Sequence, residues 1–395
     1  MQQIAAVRSV KQAVRMLKQM SIQAPEWGAW REASRDAVRK VLEDRMHDLV
    51  GNRIAELAAN GIQDRRNGAY RRWLLTGLGA IQLSVPRTRT MSGVVMLERY
   101  ARRERAVDRV ILAGFVLGLS TRKVGAALLP LLGERISPAT VSRVARVLDQ
   151  AVEAFHLRPL ANRYRALLLD GVVLGRKTGG GALRRPVLVA MGLTLEGKKE
   201  ILDFRLARSE NQAEWEAFLN DLHARGLTGE GLAISVTDGG AGLLAALPLI
   251  YPRVAVQRCW AHKSRNILDR VRKADRDRFK RDLHRISHAA TRVQARAAAR
   301  RLVQRWNSHY PAAVRCLVQD LDALLEFLRF EDRAWRQATR TTNAIERRFV
   351  EVRRRTRPMV VFSDRTSMER ILFAVFTHLN HQEGTSAPFL LTHNS

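Results

Sequence analysis

The 395 residues are 46% hydrophobic and carry 68 Lys and Arg against 38 Asp and Glu, a formal charge of +30. A chain this long exceeds one ordinary core and predicts several structural units, and no run approaches the ~20 apolar residues that cross a bilayer. The two cysteines, Cys259 and Cys316, exclude a disulfide framework and fit a reducing cytosol, while the Arg-rich cation excess asks for a polyanion, with nucleic acid the first expectation.

Residues 1–61 read as helix. Ile4, Val7, Val10, Val14 and Leu17 recur at three- and four-residue steps. Arg8, Lys11, Arg15 and Lys18 interrupt any apolar stretch, so this is not a secretory signal. A break at Ala24-Pro25 precedes a second helical run, 33–59, marked by Val38, Val41, Leu42, Met46 and Leu49. Residues 62–98 form a basic linker. QDRRNGAYRRW reads as an Arg-rich loop with a turn at Asn67-Gly68. AIQLSV at 80–85 alternates like a short strand, and Pro86-Arg87-Thr88-Arg89 reads as an extended basic link. Arg65, Arg66, Arg71, Arg72, Arg87 and Arg89 are candidate DNA contacts, since extended Arg arms read a narrow minor groove.

Residues 99–160 return to helix and hold a helix-turn-helix candidate. A helix over 121–131 meets a turn at Gly133. Ser137 then caps a second helix over 139–148, with Pro138 in its first position. That second helix presents Thr140, Ser142, Arg143 and Arg146 away from Val141, Val144 and Leu148. An ordinary helical hairpin within a bundle has the same local pattern.

From Tyr164 the pattern becomes mixed. ALLL at 166–169 reads as a strand ending at Asp170. Strands at 186–195 and 200–206 flank a turn at Glu196-Gly197-Lys198. A helix at 214–222, a strand at 232–236 and a strand at 254–257 follow, and 261–338 is helical and polar. A last helical stretch covers 342–380. Three consecutive strands break the strict alternation of a doubly wound fold and predict a mixed sheet with helices on both faces. The glycines at 179–181 read as a loop tip, without the spacing of a phosphate cradle.

Asp170 closes a run of apolar residues and precedes Gly171; Asp238 closes LAISVT and precedes Gly239-Gly240. A carboxylate at the end of a buried strand is costly without a partner, and glycine beside it lets a metal or phosphate approach the backbone. Each Asp taken alone could equally cap a turn. Glu346 lies beside the apolar stripe Ile345, Phe349 and Val352, with Thr342 and Arg353 on its side, while Glu351 falls further round toward solvent. Mg²⁺ takes hard oxygen ligands, and two ions roughly 4 Å apart serve both the attacking and the leaving oxygen of a phosphoryl transfer. Asp170, Asp238 and Glu346 are therefore the candidate catalytic and metal-binding acids.

LLLDG around Asp170, GLTLEGKKEILDF, SVTDGG around Asp238, VQRCWAHKSRN and TTNAIERRFVEVRRRT, in that order, resemble the Mutator-type transposases of bacterial insertion sequences, a branch of the ribonuclease-H-like DDE group. NGAYRRW and IQLSVPRTR resemble the segment before the catalytic region, so the likeness runs over 67–381. It implies two Mg²⁺ ions, with Mn²⁺ able to substitute. It implies strand cleavage and strand transfer on double-stranded DNA, at the terminal inverted repeats and at target DNA. It also implies an all-helical insertion before Glu346, a homodimer on DNA, and a cytoplasmic, nucleoid-associated protein. Cys259 and His262 belong to the family pattern and are expected behind the acids or facing DNA, together with Asn343, Arg353 and the helix aromatic Trp215. A zinc site completed by Cys316 or the His284/His288 pair has no support in spacing.

The expected architecture is an α/β catalytic core, a ribonuclease-H-like mixed sheet with an all-α insertion, preceded by mainly α DNA-binding domains. Its parts are 1–61, helical; 62–98, basic linker; 99–160, helix-turn-helix-like; 161–265, first part of the core; 266–338, helical insertion; and 339–395, last part of the core. The competing functions are a domesticated DNA-binding regulator and a nuclease of the same fold without strand transfer.

Overall fold

The structure, a computed structural model, describes residues 25–93, 103–116, 119, 121–132, 136–178, 181–356 and 365–386. The chain divides into two units, Met1–Val147 and Leu148–Ser395. The helical pattern read over 1–24 and the turn at Gly133 lie outside the described residues.

In the first unit, α1 (Pro25–Ala59) begins at the proline, which suits a first helical position because its missing N–H would be unpaired there anyway. Two antiparallel strands follow, β1 (Arg66–Thr76) and β2 (Gly79–Thr88). The Arg-rich segment is therefore a strand rather than a loop, and Pro86-Arg87-Thr88 ends its partner rather than forming a link. The Asn67-Gly68 signal marks a bulge: Gly68 has φ +70° and the register slips between Arg66 and Ala69. Met46 of α1 packs with Leu74, Ile81, Leu83 and Val85 of the hairpin. Asp64 accepts from the backbone N–H of Arg65 (2.8 Å) and of Arg89 (3.3 Å), pinning the hairpin's two open ends together.

Three short helices complete this unit: α2 (Arg105–Val116), α3 (Thr121–Leu132) and α4 (Pro138–Ala145). Ser137 caps α4 by accepting from Thr140 N (3.2 Å), as its position before proline predicts. A side chain at Gly125 of α3 would strike the Ile136 carbonyl, so glycine there allows close approach of the segment leading into α4. α4 ends at Ala145, with Arg146 at its C-cap, and is shorter than the helix expected over 139–148. A new helix, α5 (Val147–Leu157), begins immediately, and from Leu148 it belongs to the second unit.

The second unit is built on a mixed sheet of β3 (Tyr164–Thr178), β4 (Gly181–Thr194), β5 (Lys199–Leu206), β6 (Ile234–Thr237) and β7 (Ala255–Arg258), in the order β5-β4-β3-β6-β7. β3, β4 and β5 are antiparallel neighbours, whereas β3, β6 and β7 run parallel. β3 is longer than the sequence suggested, so Asp170 lies inside it rather than at its end.

α6 (Gln212–Ala224) and α7 (Ala241–Ile250) share one core with Leu167, Leu169, Leu188 and Leu202. Side chains alternate across a strand, so Asp170, in phase with Ala166 and Leu168, faces the other side. There Phe155 of α5 and Phe204 of β5 meet Phe373 and Phe376 of α15 (Arg365–Gln382). Burying each such side chain contributes roughly 1.5–3 kcal/mol. Asn380 of α15 accepts from Ile201 N (2.8 Å) and donates to Ile201 O (2.9 Å), satisfying the edge strand β5.

Between β7 and the Glu346 helix stand α8 (Trp260–Leu268), α9 (Arg276–Ser287), α10 (Arg292–Trp306), α11 (Pro311–Gln319), α12 (Leu321–Leu324) and α13 (Arg333–Thr339). They enclose their own core, including Trp260, Phe279, Leu302, Trp306 and Phe327, with Cys316 packed against it. Gln257, fully buried at the end of β7, donates to Leu324 O (3.1 Å) and accepts from Phe327 N (2.7 Å), fastening this helical layer to the sheet. The final helical stretch is two helices, α14 (Asn343–Thr356) and α15. Among the described residues no helix is long and apolar enough to cross a membrane.

Candidate active site

Leu169 pairs with Thr237 in the parallel β3–β6 register, so the residues that follow, Asp170 and Asp238, stand side by side. Asp170 is 2% exposed, and its Oδ2 has no hydrogen-bond partner. Burial, reinforced by the negative charges of Asp238 and Glu346, pushes its acid up to about 7; His262 and the Thr342 hydroxyl pull the other way. Asp238 is half-buried where β6 turns into α7. Its Oδ1 accepts from Gly240 N at 3.0 Å. Gly239 between them takes φ +88°, and a side chain there would run into the Arg258 guanidinium, so the turn needs glycine for both reasons.

The third acid arrives on α14. Ile345, Phe349 and Val352 form the buried stripe that the sequence predicted, and Phe349 meets Phe376 edge-on at 5.5 Å, fixing α14 against α15. Thr342, fully buried just before α14, donates its backbone N–H to Cys259 Sγ (3.3 Å). Cys259 N in turn donates to Thr237 O (2.7 Å), so the strand end beside Asp238 and the start of the Glu346 helix are joined through one residue.

His262, on the first turn of α8, places Nδ1 3.3 Å from Cys259 Sγ and Nε2 3.5 Å from Glu346 Oε1. Its hydrogen bond to Cys259 outweighs burial and, with the charges of Cys259, Asp170 and Asp238, raises the imidazole to about 9. Burial pushes the Cys259 thiol up, but the hydrogen bonds to His262 and Thr342 more than offset it, and the net direction is down. With Glu346 leaning on His262 and Asp238 engaged by Gly240, no three His, Cys, Asp or Glu side chains among the described residues are grouped to hold a metal ion as they stand.

Glu351 does not fall further toward solvent than Glu346, contrary to the expectation from helical phase. The Glu351 side chain is 30% exposed and Glu346 41%, so Glu351 is not the more solvated acid. What separates them is their partners: Arg355 holds Glu351 at 2.7 Å, whereas Glu346 faces His262 and is felt by Asp170.

The remaining expected residues divide. His262 is at the site, and Cys259 lies buried behind it rather than facing DNA. Asn343 is the half-buried first residue of α14, and Arg353 lies exposed about two turns beyond Glu346. Trp215 is a core residue, 2% exposed and packed against Phe218. The rings of His284 and His288 stack at 3.6 Å on the exposed side of α9. Of the candidate DNA contacts, Ser142, Arg143, Arg146, Arg65, Arg66, Arg71, Arg87 and Arg89 are exposed, while Thr140 and Arg72 are partly buried.

One acid went unmarked in the sequence. Glu210, in the turn before α6, lays its carboxyl against Gly171, and its acid is pushed up by burial and by the charge of Asp238. Its only local signal is its place just ahead of the cap Asn211, which says nothing about what it faces.

The sequence pattern of the family described as Transposase, Mutator family, matches residues 5–384. The chain is 30% identical over 354 residues to the transposase for insertion sequence element IS905 of Lactococcus lactis, covering 87% of this chain and 89% of that one. It is 32% identical over 356 residues to the transposase for ISRM5 of Rhizobium meliloti (89% and 88% covered). It is 33% identical over 362 residues to the transposase for IS1081 of Mycobacterium tuberculosis (89% and 86% covered).

Proposed function

The chain belongs to the Mutator family of transposases, and from that membership we propose that it cuts and joins DNA at the terminal inverted repeats of an insertion sequence, using Asp170, Asp238 and Glu346 as its catalytic acids. The observation that carries this reading is the Asp170 carboxyl, buried in the middle of an apolar sheet with Oδ2 unpartnered. An orphaned buried carboxylate costs several kcal/mol unless something binds it. In a chain of net charge +30, no Arg or Lys among the described residues pairs with it.

The donor set suits a hard divalent cation: carboxylate oxygens from β3, from the turn that follows β6 and from one helix, with Asp170 Oδ2 unpartnered. Bound there, two Mg²⁺ ions would polarise the phosphate and activate the attacking oxygen. The protein's own contribution is positional. β3 and β6 set Asp170 beside Asp238. The Cys259–Thr342–His262 contacts hold the start of α14 and keep Glu346 at hand. Exposed Arg residues outside α4 engage phosphate without reading sequence. The mixed sheet, with a helical layer inserted before the third acid, supports the ribonuclease-H-like reading.

The test is incubation of the full chain, taken as a homodimer on DNA, with its own end DNA, with and without Mg²⁺. Asp170→Asn, Asp238→Asn and Glu346→Gln are each expected to abolish cutting and joining while leaving DNA binding intact. A variant of any one acid that keeps about a tenth of wild-type cleavage, a deficit of only ~1.4 kcal/mol in the barrier, would remove that acid from the set. Cutting without joining would favour the nuclease.

A further inference from the structure

β3 and β4 outrun the sheet that carries them. The parallel pairing of β3 with β6 ends where Leu169 meets Thr237, and the pairing of β4 with β5 ends where Val187 meets Leu206. β3 and β4 nevertheless stay paired with each other as far as Thr178 and Gly181. From Val173 and Pro186 outward they form a two-stranded ribbon, and among the described residues no other strand pairs with either edge. Its root lies just beyond Asp170 on the same strand.

The ribbon is charged with one sign. Between Asp170 and Glu196 the chain has no Asp or Glu, whereas Arg176, Lys177, Arg184 and Arg185 all lie on the ribbon. Side chains alternate across a strand, and directly paired residues share a face. Arg184 pairs with Gly175 and shares a face with Val173, which is 50% exposed; Arg185 pairs with Leu174 and lies on the face of Asp170. Arg184 is exposed, and the partly exposed Arg185 donates from Nη1 to Arg208 O (3.2 Å). Cations on both faces suit a partner that surrounds the ribbon rather than one that meets a single flat side. The major groove of duplex DNA is such a partner: ~12 Å wide, it admits a two-stranded ribbon and has phosphates along both walls. The free edges could also pair with a second copy of the chain, but two ribbons of the same charge repel each other.

We propose that this ribbon is a DNA-docking element, seated in the major groove of the duplex next to the phosphate that is cut. Its placement beside that phosphate rests on the catalytic-acid reading above. The ladder positions of Arg185, Arg184 and Arg176 lie four to six residues beyond Asp170, which at ~3.3 Å per residue is roughly 13–20 Å along the strand. With base pairs every ~3.4 Å, that distance corresponds to about four to six base pairs, so the ribbon's contacts fall within about six base pairs of the cut.

The experiment uses the full-length protein on its own end DNA, with the backbone footprinted by hydroxyl radical and guanine N7, in the major groove, by dimethyl sulfate. A ribbon variant combines Arg176→Gln, Lys177→Gln and Arg184→Gln. A control combines Lys280→Gln, Arg300→Gln and Arg301→Gln, exposed residues of α9 and α10 whose loss removes the same charge. Both are first shown to unfold cooperatively at the wild-type midpoint. The ribbon variant is expected to lose protection within about six base pairs of the cut and to flatten the salt slope by about 2–3, at about 0.9 per lost phosphate contact. The control is expected to keep that protection. A folded ribbon variant with wild-type protection and slope overturns the proposal, and so does protection lost only farther from the cut. A changed sedimentation coefficient with unchanged DNA binding also overturns it, in favour of pairing between copies. Asp170→Asn separates the two readings. If it still cuts, that acid falls, while protection lost in the ribbon variant still establishes the ribbon. If it is inactive and the ribbon variant keeps its protection, the ribbon falls and the acid stands.

Discussion

His262 Nε2 stands 3.5 Å from Glu346 Oε1, while Nδ1 of the same ring is 3.3 Å from Cys259 Sγ. One imidazole therefore spans the start of α8 and the start of α14, two helices separated in sequence by the whole helical layer. Its proton is held to about 9, so at neutral pH it is a cation beside the acids.

His262→Ala is expected to lower single-turnover DNA cleavage about tenfold to a hundredfold, the usual effect of losing a residue that orients a ligand, with DNA binding retained. The folded value of about 9 lies above the unfolded 6.5, so the stability this group contributes is fully present below about pH 6.5 and lost as pH rises through about 9. The difference in melting temperature between wild type and His262→Ala should shrink over that window. A difference independent of pH would mean that packing alone accounts for the residue.

Asp170 yields a second pH dependence, of opposite consequence for ligand binding. Its folded value of about 7 lies above the ordinary carboxyl value of 3.8, so its proton stabilises the metal-free fold below about pH 3.8 and that contribution is lost as pH rises through about 7. A cation must displace this proton. Mn²⁺ affinity is expected to fall about tenfold per unit below pH 7 and to flatten above it. Calorimetric titrations at about pH 6 and about pH 8 decide this; equal affinities would show that Asp170 is not the proton-linked ligand.

The three candidate acids stand out in the sequence because each carries its context locally. An apolar run meets an Asp followed by Gly, and a buried stripe on a helix has Glu346 beside it, although Glu351 is the less exposed of the two. What was not legible depends on partners distant in the chain. Arg71, Arg72 and the 59%-exposed Trp73 make β1 look like a polar loop, and only its pairing with 79–88 reveals a strand. Gly171, Gly175, Arg176 and Lys177 hide the outer half of β3 in the same way. Trp215 carried a family signal but no information on which way it points; it points into the core. Glu210 lies against Gly171 through a close approach that only glycine permits, a tertiary fact without a periodic trace.

The excess of 68 Lys and Arg over 38 acids predicts an interface dominated by phosphate contacts. Log affinity for DNA is expected to fall linearly with log salt, with a slope of about −0.9 per contact. Fluorescence anisotropy between roughly 50 and 200 mM salt measures the slope directly. A flat response would place the binding energy elsewhere.

Sequence preference is expected to concentrate on α4. The cap fixes this helix and also occupies Thr140, whose N–H and hydroxyl both engage Ser137 Oγ (3.2 and 3.0 Å). Val141, Val144 and Ala145 are buried, which leaves Ser142 and Arg143 as the exposed polar positions on the helix, with Arg146 at its C-cap. A bidentate Arg–guanine contact discriminates by ~1–3 kcal/mol, roughly five- to 150-fold. Arg143→Ala with Arg146→Ala in the full chain is therefore expected to reduce the ratio of affinities for end DNA and scrambled DNA by at least about fivefold at one fixed salt. Arg71→Ala with Arg87→Ala, on the hairpin, should weaken both DNAs alike, because phosphate contacts carry no sequence information. The two double variants thus separate reading from holding. If the affinity ratio survives loss of the α4 arginines but collapses with the hairpin pair, the reader is the hairpin, whose exposed Arg65, Arg66 and Arg89 then act as a minor-groove arm.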